Sequence, residues 1–175
     1  MELAEEVSHG RKPTLQRTLQ LFNEFEVEYL SVGGFAVMKY GEPRYTKDLD
    51  VWVHSSSQNS LRLIAALKKF GAPLEHDGIT ARTFTEPVVY QIGIDPVRID
   101  ILTEITGVKF PGAWTRRVAS TFFGVPVNFI SLDNLITNKR ALGRDSDLKD
   151  LRQNRKVQVL RNKGCFRRTT SHLAL

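Results

Sequence analysis

Apolar positions recur along the chain with two periods, near 3.6 and near 2, and their alternation predicts helices and strands in turn. Leu15, Leu19, Leu21, Phe22 and Phe25 fall near helical spacing behind Pro13, which predicts an amphipathic opening helix covering a sheet. Tyr29, Leu30 and Val32 are strand formers. Gly33-Gly34 then breaks the strand, and Phe35, Ala36, Val37, Met38 and Tyr40 predict a short apolar helix ahead of a Gly41-Glu42-Pro43 loop. Over residues 47–53 the period is two: Leu49, Val51 and Val53 point one way, Asp48 and Asp50 the other.

Ser55 to Ser57 offer N-caps for a helix in which Leu61, Leu63, Ile64, Ala65, Leu67 and Phe70 recur up to Gly71. Residues 71–87 turn polar and read as a mobile loop or short strands, either bordering an acceptor site or forming ordinary surface. Two strand-like runs, 88–94 and 96–102, are joined at Gly93-Ile94-Asp95-Pro96 as a hairpin. In the second run Val97, Ile99 and Ile101 share one face, and Arg98, Asp100 and Leu102 the other. Residues 107–117 read as irregular. Residues 120–130 read as a strand, a Gly124-Val125-Pro126 turn and a second strand. Ser131 caps a helix through Leu142, Gly143 breaks it, and another starts at Asp145 or Ser146 and runs to about Asn154.

The stretch from Tyr29 to Val53 is where the chemistry concentrates. Two successive glycines let the backbone approach a ligand closely, and at a helix N-terminus the free N–H groups and helix dipole favour phosphate. Asp48 and Asp50, on one face of an exposed strand, repel each other unless something positive lies between them. Hard oxygen donors of this kind suit magnesium.

Charge distribution sharpens the picture more than its sum. The chain has 175 residues and a formal net charge of +6. Of its 25 lysines and arginines, six lie in residues 155–175, which hold no acid, so the remaining 19 match the 19 acids of the body. Residues 1–154 therefore read as one domain, and 155–175 as a flexible basic tail or an RNA-contacting arm. Cys165 is the one cysteine, which excludes an intrachain disulfide and a cysteine-rich metal site. His9, His54, His76 and His172 show no ligand spacing. The acidic N-terminus carries no secretory signal and no apolar run reaches membrane-spanning length, so a cytoplasmic protein is expected.

Gly33-Gly34, a gap of thirteen residues and Asp48-Leu49-Asp50-Val51 together resemble the signature of the nucleotidyltransferase superfamily with the DNA polymerase beta-like fold. Arg44-Tyr45-Thr46-Lys47 resembles the lead-in of its small bacterial members, the abortive-infection, toxin-like and antibiotic nucleotidyltransferases. Residues 130–151 resemble the closing helices of the same group. The resemblance covers about residues 14–154.

It implies an α/β (α+β) fold, a mixed β-sheet flanked by helices with further helices at the C-terminus. It implies a metal-dependent enzyme that moves a nucleoside monophosphate from a nucleoside triphosphate, such as ATP, to a hydroxyl acceptor and releases pyrophosphate. Asp48, Asp50 and Asp100 would be the catalytic and metal-binding carboxylates, holding Mg2+ or Mn2+; the plainer reading of Asp100 is a strand acid paired with Arg98. Gly33, Gly34, Arg44, Thr46, Lys47 and Lys139 would bind the nucleotide; the plainer reading of Lys139 is a solvated helix face. Arg144, Asp147 and Asp150 would hold the last turn and helix. The toxin-like members favour a protein or RNA acceptor and a cognate antitoxin, and the chain's shortness weighs against an antibiotic nucleotidyltransferase, which usually carries a larger second domain. A non-catalytic nucleotide- or RNA-binding module on the same fold is the rival reading.

Overall fold

A computed structural model of the chain describes residues 14–41, 46, 48–94 and 97–153. The opening helix α1 spans 14–24 and buries Leu15, Leu19 and Phe22, the last edge-on to Tyr29 at 5.4 Å. Strand β1 (Tyr29–Ser31) follows, then helix α2 (Gly33–Tyr40), strand β2 (Asp48–Val53) and helix α3 (Ser57–Phe70). A 3-10 turn (Ala81–Thr85) leads to β3 (Val89–Ile94) and β4 (Val97–Leu102). Helix α4 (Phe110–Thr115), β5 (Val118–Phe122), β6 (Val125–Phe129), α5 (Leu132–Leu142) and α6 (Asp145–Gln153) complete the described chain.

The six strands form one mixed sheet in the order β3-β4-β2-β1-β6-β5. β2 is central: it runs antiparallel to β1 and parallel to β4. Leu49, Val51 and Val53 on one face of β2, with Ile99 and Ile101 from β4, are all but inaccessible to solvent, so the strand's orientation is set by the burial of its apolar set. Trp52 points the other way and is also buried, donating its indole N–H to the Thr103 carbonyl at 3.1 Å. No helix among the described residues is long and apolar enough to cross a membrane.

Local chemistry explains the helix ends. Ser56 caps α3 by accepting from the Asn59 N–H, and Gly71 closes it in the left-handed region at φ 95°. The buried Asn59 amide also ties the chain crossing beneath: it accepts from Glu28 N–H at 2.7 Å and donates to the carbonyls of Glu28 and His54. Ser131 and Gly143 play the same parts for α5.

Three local readings of the sequence are corrected. Residues 107–117 contain α4, with Pro111 in its first turn where no N–H is needed. Its six residues are too few to show a period, and what fixes it is Phe110, wedged against Trp52 and stacked on His54. The β5–β6 turn is Phe123-Gly124, both at positive φ as a two-residue hairpin requires, so Val125 and Pro126 belong to the strand. Between Gly71 and Pro87 there is a 3-10 turn anchored by buried Phe84 instead of strands. Residues 155–175, the basic tail, lie outside the described residues, as does the centre of the β3–β4 turn at 95–96.

Helices α5 and α6 are joined by charge. Lys139 is buried, 6% exposed, and its ammonium donates to Asp147 at 2.6 Å and to Asp150 at 2.8 Å. Removing that cation leaves the buried Asp147 carboxylate, and the half-buried Asp150 beside it, without their shared positive partner. Lys139→Ala should therefore cost about 3–5 kcal/mol, read as a shifted urea midpoint; a loss below about 1 kcal/mol would mean that the cluster behaves as a surface pair.

Candidate active site

The register of two parallel strands builds the site. Asp48 stands opposite Arg98 and Asp50 opposite Asp100, so acids 50 residues apart in the chain share one patch of sheet. The Arg98 guanidinium lies among them: its Nε donates to Asp100 at 2.9 Å, and one terminal nitrogen donates to Asp100 at 3.1 Å and to Asp48 at 2.8 Å. Asp100 is buried at 7% exposure, in contrast to the exposed strand acid that alternation alone suggests, because β3 and β2 flank β4 on both sides. Asp48 and Asp50 are half-buried.

Asp50 carries the electrostatic cost of this crowding. Burial first, then the charges of Asp100 and Asp48, push its carboxyl up to about 6, against the opposing pull of the Gly34 N–H it accepts and of Arg98. On the other side of the same balance, the hydrogen bonds and charge of Asp100 hold the Arg98 guanidinium above its usual range.

The two glycines of the turn serve different neighbours. Gly33 sits at φ 58°, and a Cβ there would land inside the Asp50 carboxylate. At Gly34 a Cβ would lie 2.5 Å from the Thr46 hydroxyl oxygen. Thr46 in turn reaches the Asp48 carbonyl at 3.5 Å, a loose contact by hydrogen-bond standards. The turn is thus pressed against the acid strand, and the Gly34 N–H at the start of α2 donates to Asp50.

Of the nucleotide-binding candidates, Gly33, Gly34 and Thr46 come together beside Asp48, Asp50 and Asp100. Arg44 and Lys47 lie outside the described residues. Lys139 is engaged with Asp147 and Asp150; its neighbours Asn138, which donates to the Thr106 carbonyl, and Ala141, packed at Gly107, place this part of α5 by the loop that leaves the carboxyl end of β4. The residue that reading the sequence undervalued is Arg98, taken there only as a partner for Asp100. Its bond to Asp48 depends on strand pairing, which no local pattern shows.

Among the described residues no group of three or more histidine, cysteine, aspartate or glutamate side chains is arranged to hold a metal ion. The donor chemistry nevertheless fits a hard divalent cation: three neighbouring carboxylates, one of them with its proton affinity raised by burial and by the other two.

No protein-family model and no curated protein matches the chain significantly. Solved structures do. One, from Thermotoga maritima and provisionally assigned as a nucleotidyltransferase, superposes with a TM-score of 0.53 at 14% identity, over 79% of this chain and 88% of its own. The chain has the nucleotidyltransferase fold. A second structure on this fold, the lincosamide antibiotic adenylyltransferase LnuA with lincomycin bound, superposes with a TM-score of 0.52 at 15% identity, over 83% of this chain and 96% of its own. The chain thus overlaps nearly the whole length of LnuA.

The raised carboxyl of Asp50 makes a signed prediction for the nucleotidyltransferase fold without added metal. Because the folded chain binds this proton more tightly than the unfolded chain, stability falls as pH rises from about 4 to about 6 and stays reduced above that. Asp50→Asn should remove the penalty, adding on the order of 2 kcal/mol at pH 7.5 in EDTA and nothing at pH 4. Thermal melts at the two pH values would test this, and equal shifts at both would show that charge crowding is not the cause.

Proposed function

We propose that the chain is a metal-dependent nucleotidyltransferase that moves a nucleoside monophosphate from a nucleoside triphosphate to a hydroxyl group. The observation that carries this reading is the register that sets Asp50 against Asp100, with Asp48 beside them and the Gly33-Gly34 turn packed on Asp50. A patch of three carboxylates next to a helix N-terminus can serve phosphoryl transfer, where positioning and charge neutralisation dominate.

In this mechanism the triphosphate lies along the Gly33-Gly34 turn, with Thr46, Arg44 and Lys47 as its polar and cationic neighbours. Asp48 and Asp50, with Asp100, would supply oxygen donors for Mg2+ or Mn2+, whose charge would offset that gathering on the α-phosphate. The acceptor hydroxyl attacks the α-phosphorus, its proton passes to Asp100, and the bond to pyrophosphate breaks on the opposite side. A phosphate contact from Lys139 requires its bonds to Asp147 and Asp150 to exchange.

Two acceptor classes follow from different observations. The resemblance to toxin-like members favours a protein or RNA acceptor, with a cognate antitoxin as partner. The overlap with nearly the whole of LnuA favours a small hydroxylated compound of antibiotic type. Both use the same carboxylates.

The deciding experiment incubates the protein with each α-labelled nucleoside triphosphate, Mg2+ or Mn2+, and either a cell extract or a panel of hydroxylated antibiotics, with Asp48→Asn/Asp50→Asn as the control. Label in protein, RNA or antibiotic that vanishes in the control establishes the reaction and its acceptor. No label with retained RNA affinity would replace this reading with a non-catalytic binding module. Asp50→Asn alone should lower turnover by about 100-fold or more. Asp100→Asn should lower turnover more than triphosphate affinity, and an equal loss of both would move Asp100 from the chemistry to binding.

A further inference from the structure

Arg98 is the one cation among the described residues that bonds to the acid patch, and it bonds to two of the three carboxylates at once. Its grip on Asp100 is a fork, with Nε and a terminal nitrogen on separate oxygens, and the same terminal nitrogen reaches across the strands to Asp48. Such charge-assisted, two-point bonds are the strong ones among side-chain contacts. They also occupy oxygens that a divalent cation would need. The arginine side chain remains 39% exposed, so it is not locked beneath other groups and has solvent into which to swing.

We propose that Arg98 is a built-in counter-cation that competes with a divalent metal ion for Asp48 and Asp100. The inference rests on the reading of these acids as metal-binding carboxylates. It makes Arg98 a positioning residue acting through the two aspartates. With Arg98 in place the repulsion between Asp48 and Asp100 is reduced and the two carboxylates are held at one spacing. Binding of a divalent cation requires the guanidinium to let go, so the free energy of the arginine's bonds is subtracted from the apparent metal affinity. Once released, the guanidinium is a free positive group at the edge of the acid patch, where a polyphosphate carrying its own cation would arrive.

The test titrates Mn2+ into the full-length protein without nucleotide or acceptor, and reads binding by the paramagnetic resonance of free Mn2+ and by melting temperature. Arg98→Gln should melt lower than wild type in EDTA, because three carboxylates then face one another, and should bind Mn2+ about tenfold or more tightly. Its melting temperature should consequently rise further on saturation with Mn2+. Arg98→Lys, which keeps the charge and loses the fork, should fall between the two. Unchanged or weaker Mn2+ affinity in Arg98→Gln, or no Mn2+ binding by either protein, overturns the proposal; a purely structural arginine would lower stability equally with and without metal.

If Arg98→Gln does not fold, wild type alone decides. In protein labelled with 15N-arginine, the Arg98 Nε–H signal, assigned through its own side-chain connectivity, should move and exchange faster with water as Mg2+ is added. A signal that stays fixed up to saturating Mg2+ overturns competition. Metal binding is read here without chemistry, so a failed transfer assay would sink the proposed reaction and leave this inference standing, while unchanged affinity would do the reverse.

Discussion

Like charges in close company must be compensated, and around Asp48, Asp50 and Asp100 the fold compensates them by several means at once. The parallel register of β2 and β4 forces the three acids together. Arg98 bonds to two of them, and the Gly34 amide at the start of α2 donates to the third. Burial of Leu49, Val51, Ile99 and Ile101 beneath supplies the stability against which this strained arrangement is held. Asp50 still retains an unfavourable residue, visible in its elevated proton affinity. A site that keeps such a residue is one that stands to gain when further positive charge arrives.

Much of this was legible along the chain because it is local. Alternation across β2 follows from period two, and the caps of α3 and α5 are written in Ser56, Gly71, Ser131 and Gly143. The glycine turn and its helix are contiguous in sequence. What could not be read is what depends on strand pairing. The burial of Asp100 depends on β3 and β2 closing around it, and the reach of Arg98 to Asp48 spans 50 residues. The Phe123-Gly124 turn was misplaced for a different reason: a phenylalanine at positive φ carries no compositional mark. Helix α4 is held by Phe110, stacked on His54 and edge-on to Trp52, contacts from distant segments, and its own six residues show no period.

Lys139 shows the same division between local pattern and tertiary role. On the sequence it is a basic residue in the last turns of a helix, suited either to solvent or to phosphate. In the fold it is the buried link between α5 and α6, with its partners eight and eleven residues on. The Gly143 break that separates the two helices is what lets α6 turn back and present Asp147 and Asp150 to it. The closing helices are thus welded to each other by charge, next to the loop beyond β4.

The close packing of the two glycines also bears on how sequences of this kind can diverge. At position 34 the obstacle is a side chain, Thr46, so a larger residue becomes tolerable there once position 46 has become small: the two substitutions are epistatic, and only one order of acquiring them avoids a clash. At position 33 the obstacle is double. Even a lineage that had lost the Asp50 carboxylate would still hold the backbone in the left-handed region, at a cost of about 1–2 kcal/mol for any other residue. Glycine at 33 can therefore outlive the acid beside it. In comparing distant relatives, the glycine pair by itself records the shape of the turn, whereas the pairing of Gly34 with Thr46 and the presence of Asp50 record whether the acid patch has been kept.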